Sequence, residues 1–413
     1  MALRIVLLTQ YYPPEVGAPQ NRLSDLARRL AERGHAVTVL TALPNYPRGE
    51  IYAEYNGRYF VDEHIDGIRV IRSWVYATRE KSFSRRLLNY LSFALTSIFW
   101  GIWKLGAQDI IVAESPPLFV GISAVILGKL KRAKFIFNVS DLWPASAVAL
   151  GFLRNPMVIG LSRWLEEFIY WRADAITGQT EGIVDDIRRR VPRKRVDLIT
   201  NGVDVQGFPA GTEGSPRSDA RAEYGCGKRF VVGYAGLHGL AQGLETVIEA
   251  ADILRGHGDI LFVFVGDGPE RERLIECAAQ RKLANIKFLG PQARSQMARM
   301  YQMFDVAVVP LKRCSIFKGA LPSKMLEAMA AAVPVVVSIE GEARLLVLRA
   351  QAGIAVEPED ARGIANAILQ LSGDEAYRQA LARNGRRYVE EYYDRRKIAS
   401  RFEELLVQVN AHT

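Results

Sequence analysis

Cysteine is scarce here, and what there is stays unpaired. Cys226, Cys277 and Cys314 are far apart and form no CxxC pair, which speaks against a disulfide framework or a cysteine zinc site and fits a reducing cytoplasm. Several chemical signatures are also missing. The chain has no GxxxxGK[ST], no HExxH, no strict DxD and no GxSxG, so a phosphate-loop ATPase, a zincin and the commonest hydrolase are excluded. Its five histidines, His35, His64, His238, His257 and His412, form no close cluster, and no metal is expected. The start, "MALRIVLLTQYYPP", lacks the small-residue cleavage site of a signal peptide and reads as a first strand, so no export is expected.

Charge is present but uneven. Residues 1–200 carry 27 Lys and Arg against 19 Asp and Glu, whereas the remainder carries 27 against 26. The basic half suits an anionic partner, whether a membrane surface, a phosphorylated substrate or nucleic acid, and equally a merely solvated surface. Nucleic acid is the least suited: the basic run Arg188–Arg195 lacks interleaved aromatics and reads as a wet helix end.

A chain of 413 residues predicts two domains. Apolar runs recur with helical patterns between them: "RIVLLTQ", "AVTVLTA", "IRVIRSW", "DIIVAES", "KFIFNVS", "DAITGQT" and "VDLITNG", then "FVVGYAG", "ILFVFVGDG", "NIKFLG", "DVAVVP", "VPVVVS" and "AGIAVEP". They lack strict alternation, as strands covered on both faces do, which predicts two successive doubly wound α/β units with parallel sheets. The glycine- and serine-rich interval 201–228 reads as a linker. The expected divisions are 1–200, 201–385 and a helical end, 386–413, that crosses back to the first domain.

The segment Arg85–Gly106 is almost long enough for a bilayer, but Asn89, Ser92 and Thr96 give it a polar side opposite Leu88, Leu91, Leu95, Phe99 and Trp103. Two readings stand: a core-packed crossover helix, or a helix lying in a lipid interface behind Lys81, Arg85 and Arg86.

The stretch "KGALPSKMLEAMAAAVPVVVS", Lys318–Ser338, carries the most chemistry. Ser323 is expected as the N-cap after Pro322, and the free N–H groups of the helix start, with Lys324, would bind phosphate. Glu327, one turn on, suits sugar hydroxyls such as those of ribose. A capped core helix with a chance lysine explains the pattern equally. "VGDGPER" puts Gly266, Asp267 and Gly268 after a strand, where open α/β sheets bind ligands, yet it lacks the third glycine of the dinucleotide fingerprint, as "YAGLHGLAQG" also departs from it. A nicotinamide cofactor is therefore not expected. In the first half, Asp141 and Trp143 of "SDLWP" end a strand; Asp141 would steer a substrate hydroxyl or cap the next helix. Glu15 and Gly17 sit at the first strand's end, the glycine allowing close approach of a ligand.

Taken together, "QYYPPEVGAPQNRL", "SDLWP", "NGVD", "VGDGPERERL", "FLGP" and "LPSKMLEAMAAAVPVVVS" resemble the GT-B glycosyltransferases of family four across essentially the whole chain, and most of all the bacterial branch that adds N-acetylated deoxyamino sugars such as N-acetyl-fucosamine in O-antigen or capsule assembly. That resemblance implies two Rossmann-like domains facing across a cleft, retention of configuration, and no metal or cofactor. It implies a UDP-sugar donor on the second domain: Ser323 and Lys324 at the diphosphate, Glu327 at the ribose, Leu289, Gly290 and Pro291 near uracil, with Gly236, His238 and Asp267 beside them. Asp141, Lys324 and Glu327 are the expected catalytic residues. Glu15, Gly17, Asp141 and Trp143 would face the acceptor, a lipid-diphosphate-linked sugar, which places the enzyme in the cytoplasm or peripherally on the inner membrane. Three positions depart from the family pattern: Gly319 where a glutamate is usual, Leu237 and Gln242 in place of Arg and Lys, and Ala145 where relatives have glutamate. His238, Lys312, Arg313 or Lys318 would then supply the missing charge. A UDP-sugar 2-epimerase and a weakly active membrane scaffold are the alternatives.

Overall fold

The computed structural model describes residues 2–411 apart from 81, 150, 152 and 210–215. Two compact units form, residues 1–201 with 396–413, and residues 202–395.

The first unit is built on an eight-stranded sheet: β1 (Arg4–Leu8), β2 (Ala36–Ala42), β3 (Phe60–Ile65), β4 (Ile68–Ser73), β5 (Ile110–Ser115), β6 (Lys134–Val139), β7 (Ala175–Gly178) and β8 (Val196–Leu198). Their order is β3-β4-β2-β1-β5-β6-β7-β8, so the strand sequence reverses direction between β1 and β5. Val6 and Leu8 enter one core while Ile5 and Leu7 enter another on the opposite face, which is why these strands are apolar throughout. β3 alone runs antiparallel, against β4. It escaped the sequence reading because "FVDEHI" is an edge strand with charges. Its turn, Asp66–Gly67, has φ of 50° and 78°, the left-handed pair that a two-residue hairpin needs.

One sheet face is covered by helices Phe83–Lys104, Val120–Lys131 and Pro156–Arg172. The first of these is a packed crossover helix, with an unusual orientation. Its polar side is turned inward: Asn89 is buried, donating to Tyr76 O (2.8 Å) and accepting from Gln10 (2.6 Å), Ser92 accepts from Tyr76 N (2.8 Å), and Thr96 donates to Trp74 O (2.6 Å). Leu88, Leu95, Phe99 and Trp103 face out. Among the described residues no helix is long and apolar enough to cross a membrane.

The other face is covered by helix Ala18–Glu32, through Leu23, Ala27 and Leu30, and by the C-terminal helix Arg395–Ala411, through Ile398, Phe402, Leu405, Leu406 and Val409. Leu3 N–H donates to His35 Nδ1 (3.1 Å), which fixes the imidazole with Nε2–H toward Glu403 (2.9 Å); Arg33 pairs with the same carboxylate (2.5 Å).

The second unit has six parallel strands, β9 (Phe230–Ala235), β10 (Ile260–Val265), β11 (Ile286–Leu289), β12 (Val306–Pro310), β13 (Val335–Ser338) and β14 (Gly353–Val356), ordered β11-β10-β9-β12-β13-β14, with cores on both faces. The interval read as a linker behaves differently where it is described. Val203, Val205 and Phe208 are buried in the second unit's core, Val203 pairs with Asp394, and Pro216–Glu223 is helical; residues 210–215 lie outside the described residues. The chain passes between units at 201/202 and again at 395/396, ten residues beyond the expected 385. Polarity and glycine content cannot tell a solvated connection from a loop pinned by a few apolar anchors.

Phe402 is buried in the first unit. Phe402→Ala is expected to cost that unit ~3–5 kcal/mol, moving its urea transition and leaving that of the second unit in place; a shift in both would contradict the assignment of the helix.

Candidate functional site

In an open α/β sheet the ligand crevice lies beyond the carboxyl ends of strands, where strand order reverses. In the second unit that point is between β9 and β12.

The loops beyond β9, β10 and β11 are zipped together by their main chains. Gly236 N donates to Val265 O (2.9 Å), His238 N to Asp267 O (2.8 Å), Glu270 N to His238 O (3.0 Å) and Gly266 N to Leu289 O (3.3 Å). Gly266 (φ 136°) and Gly268 (φ 154°) allow this approach: a Cβ would lie 2.0 Å from Gly236 O and 2.4 Å from His238 O respectively. The glycines read as a ligand motif therefore serve backbone crossing. Asp267 is exposed and accepts from Gly268 N (2.8 Å); Gly290 and Pro291 follow β11 beside it.

Helix Ser323–Ala330 begins next to these loops, with Pro322 as its N-cap and Ser323 as its first residue. The serine was expected one position earlier. Pro322 leaves the helix start without a side-chain cap, so the leading N–H groups are available to an anion. Lys324 is half-buried, and its ammonium lies 4.3 Å from the Tyr234 ring centroid while donating to the Tyr234 hydroxyl (2.6 Å), which donates to Leu237 O (2.6 Å). Gly236 leaves room, since a Cβ would meet the Lys324 ammonium at 3.1 Å. Lys324 makes no ion pair among the described residues. Burial pulls its pKa down to about 7. Glu327 accepts from Tyr301 (3.2 Å), whose hydroxyl also reaches Lys324 O (3.2 Å); burial pushes its pKa up.

His238 does not supply charge to this site. Its ring is fully buried among Tyr234, Phe264 and Phe288, neither ring nitrogen has a hydrogen-bond partner among the described residues, and burial, reinforced by the charges of Arg271 and Lys324, pushes its pKa down to about 4. Arg313 and Lys318 are turned to Glu340 (2.8 and 3.4 Å). Lys312, the remaining candidate, lies just past β12 against Gly243, where a Cβ would meet its side chain at 3.2 Å, and Lys324 is the cation at the helix start.

The first unit's predicted residues are more structural. Glu15 is buried, and its carboxylate accepts from Asn45 N (2.8 Å), Tyr46 N (2.8 Å) and Tyr12 N (3.2 Å), clamping two loops together; burial pushes its pKa up to about 7 against the pull of those N–H groups. Gly17 has φ 178°, an extended conformation open to any residue. Asp141 accepts from Ser146 Oγ and Leu142 N, neither of them a main-chain N–H of the helix that follows, and burial raises its pKa. Trp143 meets Phe119 edge-on at 5.8 Å.

A polar core at the β1/β5 reversal was missed. Glu114, Asn138 and Thr177 are register partners across β5, β6 and β7. Glu114 pairs with Arg22 (2.5 Å) and accepts from Asn138 and Ser140; Thr177 donates to Asn138 (2.5 Å), and Gln179, with its amide oxygen inward, accepts from both Arg22 terminal nitrogens (2.9 and 3.0 Å). The signal was a polar residue, Glu114, Asn138 and Thr177, near the carboxyl end of each of three mainly apolar strands.

Residues 17–202 match the family model described as glycosyl transferase 4-like domain, and residues 217–388 that described as glycosyl transferases group 1. The chain is 28% identical over 380 residues to the putative colanic acid biosynthesis glycosyl transferase WcaI of Escherichia coli strain K12, covering 89% of this chain and 92% of that one. Two solved structures share the fold. Sucrose-phosphate synthase from Thermosynechococcus elongatus has a TM-score of 0.74 at 21% identity, over 99% of this chain and 100% of that chain. Anabaena Alr3699/HepE in complex with UDP has a TM-score of 0.75 at 18% identity, over 98% and 100%.

A buried imidazole with depressed pKa loses its folded-state advantage in acid: between pH 6.5 and about 4 the unfolded chain binds the proton first, so stability falls as pH falls. His238→Leu should flatten that part of a pH–stability curve measured by urea unfolding; an unchanged slope would place the charge change elsewhere.

Proposed function

We propose that the chain, whose two halves match the models described as glycosyl transferase 4-like domain and glycosyl transferases group 1, moves an N-acetylated amino or deoxyamino sugar, with retention of configuration, from a UDP-sugar to a lipid-diphosphate-linked sugar during synthesis of a bacterial surface polysaccharide. The observation that carries the donor half is the Lys324 ammonium, half-buried at an uncapped helix start and without an ion pair among the described residues. Such a cation is poorly solvated and is matched by a diphosphate. The colanic acid role in the name of the E. coli relative, and the UDP held by the Anabaena protein, support the polysaccharide and nucleotide parts of the reading.

In this reading the diphosphate lies on the N–H groups of Ser323 and Lys324, and Glu327 accepts the ribose hydroxyls. As the glycosidic bond breaks, negative charge grows on the departing phosphate, and fixed N–H dipoles with one ammonium stabilise that charge without reorganising. The acceptor hydroxyl attacks from the face the diphosphate leaves, and its proton passes to a phosphate oxygen of the leaving group. No protein nucleophile is used. Asp141, held by Ser146, positions the acceptor end of "SDLWP".

Lys324→Ala and Glu327→Ala are each expected to lower turnover ~10²–10³-fold; full turnover in both would sink the donor site. UDP affinity carries a second signature. Bound diphosphate needs the ammonium, while the free site holds a lysine with pKa about 7, so affinity should fall ~10-fold per pH unit above neutrality. Lys324→Arg, charged throughout, should flatten that profile in calorimetric titration.

A further inference from the structure

Helices that cover a sheet are ordinarily apolar inward and wet outward. The three helices on the first unit's outer layer break this rule together. Trp103 is 72% exposed and Leu95 68% on helix Phe83–Lys104; Trp164 is 61% and Trp171 64% exposed on helix Pro156–Arg172; Leu130 is 57% exposed on helix Val120–Lys131 between them. On the third helix Met157, Leu161, Trp164, Phe168 and Trp171 follow helical spacing, all exposed, and Trp164 stacks on Phe168 at 5.7 Å.

These side chains belong to one continuous layer. The middle helix meets the first at Gly101, where a Cβ would lie 2.7 Å from the Leu127 side chain, and meets the third at Gly121, where it would lie 2.7 Å from Ile169. Ser123 ties the middle helix to the first by donating to Ala94 O (3.0 Å), and Lys131 donates to Ile102 O (2.8 Å).

The charge around the layer is predominantly positive. The three helices carry seven lysines and arginines and two acids, and one of those acids, Glu166, is buried and paired with Arg190 (2.5 Å). Lys104, Lys129, Arg163 and Arg172 are exposed. A second copy of the chain would bring two positive rims together. An anionic lipid surface offers hydrocarbon to the tryptophans and phosphate to the rim.

We propose that helices Phe83–Lys104, Val120–Lys131 and Pro156–Arg172 form a single docking face that lies on an anionic bilayer, with Trp103, Trp164 and Trp171 at headgroup depth. This deepens the acceptor half of the proposed function, since a lipid-linked acceptor is met at that surface, and it is independent of the donor half.

The test is flotation of the full chain with vesicles containing about 30% phosphatidylglycerol, against pure phosphatidylcholine, at low and high salt. Binding to anionic vesicles that weakens in salt is expected, with a loss of about tenfold or more in the double variant Trp164→Gln/Trp171→Gln. That variant lies on the third helix, so it separates a three-helix face from attachment by helix Phe83–Lys104 alone. Both side chains are exposed, so its melting temperature should match the parent's. The proposal is overturned by absence of flotation with anionic vesicles, by a double variant that floats like the parent, or by a lipid-free dimer that the substitutions dissolve. A UDP-induced thermal shift measured on the same samples reads the donor site separately: flotation with no shift sinks the donor reading alone, and a shift with no flotation sinks the docking face alone.

Discussion

The ammonium of Lys324 lies against the Tyr234 ring with no carboxylate paired to it among the described residues, and the loops around the helix start are arranged about that fact. Withdrawing a cation from water is costly unless something replaces the lost hydration. Here the replacement is partial: one ring face, one phenol oxygen, and a helix start whose dipole is itself positive at that end. The helix dipole works against the lysine. Burial and dipole together leave an electrostatic deficit that either loss of the lysine's proton or a bound anion relieves, and the geometry demands that Gly236 stay without a side chain and that Tyr234 be held by Leu237 O.

The same point of the first unit's sheet is handled the other way. At the β1/β5 reversal the buried cation, Arg22, has its carboxylate in Glu114, and Asn138, Ser140, Thr177 and Gln179 take up further hydrogen-bonding capacity. A buried pair satisfied to this extent is rigid, and removing one partner would leave the other charge stranded. It shapes the ends of β5, β6 and β7 from beneath. A cation thus lies near the strand-order reversal of each unit: Arg22, buried and paired, in the first, and Lys324, half-buried and without an ion pair among the described residues, in the second.

How much of this was legible follows from what a pattern encodes. Parallel strands buried on both faces announce themselves as unbroken apolar runs, and thirteen of the fourteen strands among the described residues were read that way; β3 has one wet face and an edge position, and its charges hid it. Lys324 and Glu327 could be placed because a helix start fixes direction within one turn. Glu15 could not be judged from sequence: the N–H groups that occupy its carboxylate come from Asn45 and Tyr46, thirty residues away. His238 looked like a spare charge and is a neutral core ring, because its surroundings, Phe264 and Phe288, lie on other strands.

Helix Phe83–Lys104 shows a different limit. Its periodicity defines two sides and says nothing of which is inside. The choice is made by unsatisfied main chain: residues 74–76 leave β4 with N–H and C=O groups that need partners, and Asn89, Ser92 and Thr96 provide them. Turning the helix over would bury its leucines but strand those groups, at a penalty for each lost hydrogen bond comparable to the transfer gain of a side chain. The inward polar side therefore has a folding explanation. The outward apolar side has none, since a leucine or tryptophan in water adds nothing to the folded state, and the neighbouring helices repeat those outward apolar residues. A feature that folding does not require, repeated over three adjoining helices under a positive rim, is accounted for by what the folded protein rests against.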